Sequence, residues 1–513
     1  MSRLLTLTFL LLPHLLARAE SAGEDPMVQL AQTEADAALR LRHSPRGAVH
    51  LVRLHALRDE VSDLNLFSRA YGEVLSDSRA DPMVKTLARI FTADVERARG
   101  RLNKAAAMID SLGYLREFYV LGAFDNEGKG GCSIDFGPES HLDLKASRPA
   151  KGHPAEWRKL DASSPDGYVD LSASLRPSRE AVGYALTFLR SPVESNTALG
   201  IGASGAFRLW VNGQLAASGD NYNYPRPDQS RVSVRLRKGI NQVLLKVCQS
   251  TGPFGFYLRQ ETGSARAKMA LPDTLPPLEK GPSVAPRILP TLATRLQAEV
   301  EKHPKDSVLR GEYATALAFS RAYDERSHSD TVEAERAAEE APSDLSLQLL
   351  AAKLQEEDSN LRRQHFEAAL RASPQSPDAR LQLAQFELSR GHPDRALPIL
   401  AVLVGDHPRF AAARISLIRA HDALGEWPRA ATLTEQALLD FPHHPAIVRE
   451  AARATRRLER AEDALALFRT AVALRYDDAN SHRSLMALLT ELGHVDEAID
   501  EMRLMLKLDP FDN

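Results

Sequence analysis

The C-terminal half of the chain repeats one pattern of apolar and polar positions. In residues 378–408, apolar residues recur at helical spacing on both sides of Gly391. Three sets of positions recur every 34 residues: Pro374, Pro408, Pro442, Tyr476 and Pro510; Gly391, Gly425, Glu459 and Gly493; and Ala396, Ala430, Ala464 and Ala498. One period shared by three sets of positions indicates a tandem repeat. Each unit is predicted to be a pair of antiparallel helices, because Gly permits the tight turn, Ala lets the helices approach and Pro ends the unit.

This order of Gly, Ala and Pro resembles the tetratricopeptide repeat (TPR). The resemblance covers residues 290–513, where we expect about six repeats, the regular ones beginning at residue 377 and following degraded copies. Departures are local: Glu459 replaces the turn Gly and Tyr476 replaces the Pro. The resemblance implies a helical solenoid whose first helices line a groove that binds another protein or a peptide.

The periodicity changes between residues 116 and 262. Short segments rich in β-branched and aromatic residues are bounded there by Gly, Pro, Asn or Asp, which predicts an antiparallel β-sandwich. A strand ending in Trp210-Val-Asn-Gly-Gln, an aromatic loop, and Lys238-Gly-Ile-Asn before Leu244-Leu-Lys-Val resemble the galactose-binding-like jelly roll. The sugar-binding domain of family 2 glycoside hydrolases is similar, and the resemblance is specific from residue 207 to residue 247.

The loop after this hairpin carries side chains that suit a sugar, because a pyranose offers an apolar face and a ring of hydroxyls. The candidate carbohydrate-binding residues are Trp210, Asp220, Asn221, Tyr222, Asn223 and Tyr224. The alternative is that the tyrosines fold onto the sandwich and bind nothing. The chain has two cysteines, Cys132 and Cys248, and the sequence leaves open whether they form a disulfide or are two buried thiols.

The N-terminus has the order of a secretory signal peptide. Arg3 precedes an apolar run from Leu4 to Leu16, and Ala17-Arg18-Ala19 follows as a cleavage site. We therefore expect residues 1–19 to be removed and the protein to be periplasmic or extracellular, meeting a membrane during export. Residues 20–115 are predicted to form a degenerate TPR-like helical domain, and residues 263–289 a Pro-rich linker. The predicted fold class is multidomain α and β, with an α-solenoid of TPR hairpins flanking the antiparallel β-sandwich.

The net charge and the motifs of the chain argue against several classes of function. The 65 basic and 68 acidic residues leave a net charge of -3, which argues against nucleic acid as a partner. Gly200–Gly205 matches the dinucleotide-binding glycine pattern, but a predicted strand follows where that motif requires a helix. No catalytic constellation, metal-ligand spacing or cofactor motif is recognised, so we expect a protein that is not an enzyme.

Arginines concentrate on the predicted first helices of the regular repeats. The resemblance places Arg419, Arg449, Arg453, Arg456, Arg457 and Arg483 on the face that this family turns toward its groove. Guanidinium groups bind carboxylates through paired hydrogen bonds, so a C-terminal or acidic peptide is the expected ligand. The alternative is a solvated face with Glu450, Glu459 and Glu462 as neighbours. The expected function is an exported scaffold that binds a partner protein. A carbohydrate-binding module on a repeat scaffold and the targeting portion of a transglutaminase-like enzyme are the alternatives.

Overall fold

The computed structural model describes residues 24–161, 164, 166–222, 224–261, 268–272, 274, 284–320, 329–356 and 359–508. The predicted signal peptide and most of the predicted linker lie outside these residues. The helices are α1 Pro26–Arg40, α2 Arg46–Ala56, α3 Leu64–Ser76, α4 Pro82–Ala98, α5 Leu102–Asp110, α6 Leu292–Lys302, α7 Ser307–Phe319, α8 Ser329–Glu340, α9 Leu345–Leu354, α10 Asn360–Ala372, α11 Pro377–Ser389, α12 Pro393–Asp406, α13 Ala411–Ala423, α14 Trp427–Asp440, α15 Pro445–Arg457, α16 Ala461–Leu474, α17 Ala479–Glu491 and α18 Val495–Leu508.

The strands are β1 Glu117–Asp125, β2 Arg158–Asp161, β3 Tyr168–Asp170, β4 Ala181–Ser191, β5 Ser195–Ala203, β6 Ala206–Val211, β7 Gln214–Gly219, β8 Ser230–Leu236, β9 Gly239–Gln249, β10 Gly255–Gln260, β11 Lys268–Ala270 and β12 Arg287–Leu289. The mixed fold class predicted from the sequence is confirmed. Contacts divide the chain into two compact units. Of the described residues, the first unit holds those within 24–84, 97–100 and 334–502, and the second holds those within 85–96, 101–333 and 503–508.

The repeats of the first unit follow the sequence period closely. The first helices α11, α13, α15 and α17 begin at residues 377, 411, 445 and 479, so each starts 34 residues after the one before. Their second helices α12, α14, α16 and α18 begin at residues 393, 427, 461 and 495, with the same spacing. The period read from Pro, Gly and Ala is therefore the structural period.

The turn between the two helices of a repeat requires a left-handed backbone. Gly391, Gly425 and Gly493 have φ values of +74°, +76° and +78°, which glycine adopts without strain. Glu459 has φ of +59° at the equivalent position, so the repeat keeps its turn although the glycine is missing. The small residue that follows, Ala464 in this repeat, is fully buried where the two helices meet.

The second unit contains two antiparallel sheets. One has the strand order β2-β1-β4-β9-β6-β7, with β11 also paired to β4, and the other has the order β12-β8-β5-β10-β3. A buried cluster draws apolar side chains from both sheets, among them Phe118, Leu209 and Phe256, so the sheets pack face to face. This agrees with an antiparallel sandwich. The narrower galactose-binding-like classification stays a prediction.

The other face of the sheet that contains β1, β4 and β9 is covered by the segment that follows β1. Cys132 in that segment and Cys248 on β9 form a disulfide, with 1.99 Å between the sulfur atoms. The buried Lys246 ammonium donates to the carbonyls of Cys132 and Ile134 and pairs with Glu139 at 2.7 Å. The covering segment is thus tied to the sheet by a covalent bond and by a buried ion pair.

The glycine pattern of Gly200–Gly205 lies in β5 and the turn after it, and β6 follows directly. A dinucleotide site on this motif needs a helix N-terminus here, and the described chain has a strand instead. Of the helices in the described part of the chain, none combines the length and apolar character of a membrane span.

Candidate partner-binding site

Arg449 was predicted to lie in the groove, but its side chain is buried and is not available to a ligand. It sits in the middle of α15, its side chain is 8% exposed, and its guanidinium pairs with Asp478 at the start of α17. Asp478 also caps α17 by accepting from the backbone N–H of Asn480. Arg449 therefore joins two neighbouring repeats, and a ligand carboxylate would have to replace a buried ion pair.

Arg453 and Arg457 lie one and two turns further along α15 and are far more accessible. Their side chains are 48% and 52% exposed. Arg453 lies 3.5 Å from Glu450 within its own helix, and Arg457 pairs with Asp422 of α13. The Arg457 pair lies at the surface, whereas the Glu450 side chain is buried at 7% exposure. About half of each arginine side chain is open to an incoming carboxylate.

The remaining arginines of the predicted stripe have different surroundings. Arg419 of α13 donates twice to the same oxygen of Glu450, at 2.9 and 2.8 Å. Arg456 pairs with Glu491 of α17, and Arg483 donates to Asn480 at 3.3 Å. The stripe is therefore not one continuous basic surface: Arg419, Arg453 and Arg457 come together, while Arg456 and Arg483 line neither of the two cavities described next.

The first cavity, of about 340 Å³, is lined by the first helices α13 and α15, by the start of α17 and by the chain's own N-terminal region. Arg475 precedes α17 and contacts that region. It donates to the backbone carbonyls of Arg58 and Val61 at 2.9 and 3.0 Å and lies 3.3 Å from Asp59. Arg58 in turn pairs with Asp477 at 2.7 Å. The loop between α2 and α3 therefore occupies part of the groove.

Other contacts hold the same N-terminal segment against the repeats. Asp25, which caps α1, accepts from the backbone N–H of Ala411 at the start of α13. Burial raises the pKa of the Glu60 carboxyl in the loop, and burial lowers the pKa of His444, before α15, to about 4. A partner that filled this part of the groove would have to displace residues 58–61.

The second cavity, of about 310 Å³, lies between α13, α14 and α15 and does not involve the N-terminal segment among the described residues. Its lining residues are Ile418, Arg419, Asp422, Trp427, Pro428, Ala430, Ala431, Thr434, Glu450, Arg453, Ala454, Arg457 and Leu458. Trp427 and Leu458 are 60% and 58% exposed, and the guanidinium of Arg457 lies over the indole at 5.8 Å. Arginine, indole and aliphatic side chains are therefore presented together.

Sequence reasoning missed Arg475, Trp427 and Leu458 as residues of the site. Trp427 did give a signal, because it opens a second helix where Pro393, Ala461 and Val495 stand in the other regular repeats. Arg475 gave none, because its acceptors lie more than 400 residues earlier in the chain.

The structure packs Tyr222, the central sugar-binding candidate, onto the sandwich. Its hydroxyl accepts from the Asn126 amide at 3.1 Å, its ring lies under the Lys129 ammonium at 4.6 Å, and it contacts the buried cluster on the covered sheet face. Trp210 packs on the same cluster. Both aromatic side chains therefore pack against the sandwich, as expected for a structural role rather than for sugar binding.

The other sugar-binding candidates are more exposed. Asp220 pairs with Arg208 at 2.6 Å, Asn221 faces solvent, and Tyr224 is exposed with the guanidinium of Arg226 at 5.9 Å from its ring. Asn223 lies outside the described residues. The candidates thus divide between packed and exposed positions rather than forming one binding face.

Two family models match the C-terminal region. Residues 363–409 and 387–454 match one tetratricopeptide repeat model, and residues 449–513 match another. No curated protein is similar to the chain in sequence.

Three solved structures with similar repeats cover between a third and two fifths of this chain. A thermophilic TPR protein from Thermus thermophilus is 26% identical, with 34% of this chain and 93% of that chain covered and a TM-score of 0.31. YrrB, described as a TPR protein with an unusual peptide-binding site, is 19% identical, with 37% and 98% covered and a TM-score of 0.29. PilW, a type IV pilus biogenesis factor, is 17% identical, with 39% and 92% covered and a TM-score of 0.34.

The C-terminal region combines the 34-residue structural period, the positive-φ turns and the matches over residues 363–513. It carries tetratricopeptide repeats, which are in general non-catalytic and point to a scaffold for protein–protein interaction.

Proposed function

We propose that the chain is an exported, non-catalytic scaffold that binds an anionic segment of a partner protein on the arginine-bearing face of α13 and α15. The observation that carries the proposal is the exposure of Arg453 and Arg457 beside Arg419 at one cavity. Guanidinium groups recognise carboxylates through two parallel hydrogen bonds, which suits Asp and Glu side chains of a partner.

The energetic balance favours binding of a partner carboxylate at Arg453 and Arg457. Surface ion pairs contribute about 0–1 kcal/mol, so a partner carboxylate can replace Asp422 beside Arg457 at small cost. Glu450 has 7% of its side chain exposed and stays with Arg419 and Arg453, so a partner carboxylate would meet the exposed part of the Arg453 guanidinium beside it. Removing one partner of a buried pair costs about 3–5 kcal/mol, so Arg449 and Asp478 stay together. We therefore assign partner binding to Arg453 and Arg457 and a structural role to Arg449.

Charge reversal of Arg453→Glu/Arg457→Glu tests the proposal. Purified protein is immobilised and incubated with envelope extract, and recovered proteins are identified by mass spectrometry. Arg460→Glu/Arg469→Glu is the matched control, because both arginines are at least half exposed and neither lines the cavity. We expect the first variant to lose a partner that the control and the wild type retain.

Repeating the same recovery experiment at higher salt concentration tests the proposal in a second way. Exposed charges are screened within about 8 Å at physiological ionic strength and within shorter distances as salt rises. The specific partner should therefore be recovered less well at high salt. Equal recovery by both variants at every salt concentration would refute the proposal and leave the arginines as a solubilising surface.

Export is proposed from the order of Arg3, the apolar run Leu4–Leu16 and Ala17-Arg18-Ala19. The disulfide between Cys132 and Cys248 supports an oxidising compartment, where disulfides persist. Mass spectrometry of the protein recovered from fractionated cells should find Glu20 as the first residue in an exported fraction. Intact Met1 on protein retained in the cytoplasm would contradict the proposal.

A further inference from the structure

We infer that the cavity between α13, α14 and α15 is a specificity pocket for an aromatic side chain of the partner, adjacent to an acidic residue of the same segment. This rests on the proposed function and names the partner's chemistry at that face. The pocket is distinct from the groove region that residues 58–61 occupy, because the described N-terminal residues do not line it.

The size of the cavity and its apolar lining residues suit one large side chain. Its volume of about 310 Å³ is at the lower end of the range of about 300–1,000 Å³ found for ligand pockets. Ile418, Ala430, Ala431 and Ala454 form apolar parts of the lining. These side chains leave room for a ring and offer it no hydrogen-bonding group, so an apolar ring fits better than a polar one.

Two large apolar side chains at this cavity are exposed. Trp427 and Leu458 present 60% and 58% of their surface to solvent, from the first turn of α14 and the residue after α15. Burying apolar surface contributes about 25 cal/mol for each Å² removed from water. A partner ring held between the indole and Leu458 would remove such surface from both side chains, and tryptophan is often a dominant residue in binding interfaces.

The charged residues around the cavity favour an acidic residue next to the aromatic side chain of the partner. Three lining cations, Arg419, Arg453 and Arg457, face two lining anions, Asp422 and Glu450, so the rim has an excess of one positive charge. The Arg457 guanidinium already lies over the Trp427 ring, and a planar cation can stack on one ring while its N–H groups bind a carboxylate. An acidic residue next to the aromatic side chain would meet this rim.

Synthetic peptides supply the probe for the test. The full-length protein is titrated by isothermal titration calorimetry with Glu-Glu-Phe-Glu-Glu, blocked at both ends, and with two analogues in which Ala replaces Phe or Lys replaces every Glu. Trp427→Ala and Leu458→Ser alter the pocket. Leu439→Ala is the matched control, because Leu439 lies on the same helix α14, is 80% exposed and does not line the cavity.

We expect the Phe peptide to bind at least about tenfold more tightly than either analogue, and Trp427→Ala to weaken it by about tenfold or more. Leu439→Ala should bind like wild type, and near-unchanged thermal unfolding of Trp427→Ala would show that the exposed indole is not needed for folding. Equal binding of the Phe and Ala peptides, or no effect of Trp427→Ala and Leu458→Ser, would overturn the pocket. Absence of measurable binding at millimolar peptide would overturn it too.

These outcomes separate the pocket from the proposed function. If Arg453→Glu/Arg457→Glu loses a partner while Trp427→Ala retains it, the pocket inference fails and the anion-binding face stands. If neither variant loses a partner, both fail.

Discussion

Replacing Arg475 with methionine should detach the N-terminal loop from the repeats. The Arg475 side chain is 4% exposed and donates to the carbonyls of Arg58 and Val61. Hydrogen bonds from a charged donor contribute about 1.5–3 kcal/mol each, so two of them are worth about 3–6 kcal/mol before relaxation. Because water can reach the freed carbonyls once the loop moves, we expect about 3 kcal/mol of destabilisation for Arg475→Met.

Differential scanning calorimetry and limited proteolysis measure the effect. For a unit of this size, about 3 kcal/mol corresponds to a fall in Tm of about 6–12 °C. Cleavage between α2 and α3 should also become faster, because the loop is released. Arg469→Met is the control: Arg469 is half exposed and pairs with Glu497 at the surface, so its loss should cost less than about 1 kcal/mol. Equal Tm values and equal cleavage rates for the two variants would refute the docking of the loop.

Three further predictions concern stability. The pKa of His444 is held near 4 in the folded state and about 6.5 when unfolded, so the unfolded chain takes up the proton first and stability falls as pH drops through this window. Wild type should therefore lose about 3 kcal/mol relative to His444→Gln between pH 7 and pH 4, measured by urea unfolding; parallel pH profiles would contradict this. Cys132→Ala/Cys248→Ala should destabilise the sandwich by about 4 kcal/mol, because the bond closes a loop with a separation of 116 residues, and an unchanged thermal midpoint would show otherwise. Lys246→Met should cost about 3–5 kcal/mol by removing the cation that pairs with Glu139, whose remaining donor is the Tyr184 hydroxyl, and Lys246→Met/Glu139→Gln should cost less; a larger loss in the double variant would refute the pairing.

The repeats were predictable because their determinants are local. Gly391, Gly425 and Gly493 mark turns that need a positive φ, and the spacing of apolar residues on either side gives the helices. Even the exception was interpretable: Glu459 stands in the turn register and adopts the same backbone. The short strands could be predicted for a similar reason, since β6 alternates buried and half-buried residues from Phe207 up to the Asn212-Gly213 turn.

The availability of the site residues could not be predicted in the same way. Helical spacing placed Arg449, Arg453 and Arg457 on one helix, but Arg449 is paired with Asp478 from the next repeat, and residues 58–61 reach the same groove through Arg475. Such contacts join distant parts of the chain and produce no periodic pattern in the sequence. The packing of Tyr222 could not be predicted either, because it depends on Asn126, which lies about a hundred residues away in the chain.

Site-specific photo-crosslinking tests most directly whether a partner binds at the arginine-bearing face of α13 and α15. A photoreactive phenylalanine analogue is placed at Leu458, which lines the cavity, or at Leu439, which is also exposed but does not. After irradiation in envelope extract, crosslinked peptides are sequenced by mass spectrometry at low and high salt. We predict that the probe at Leu458 captures a partner segment rich in Asp or Glu, that high salt reduces this product, and that the probe at Leu439 does not form it. The same product from both positions, or a yield at Leu458 that salt does not change, would contradict binding at this face.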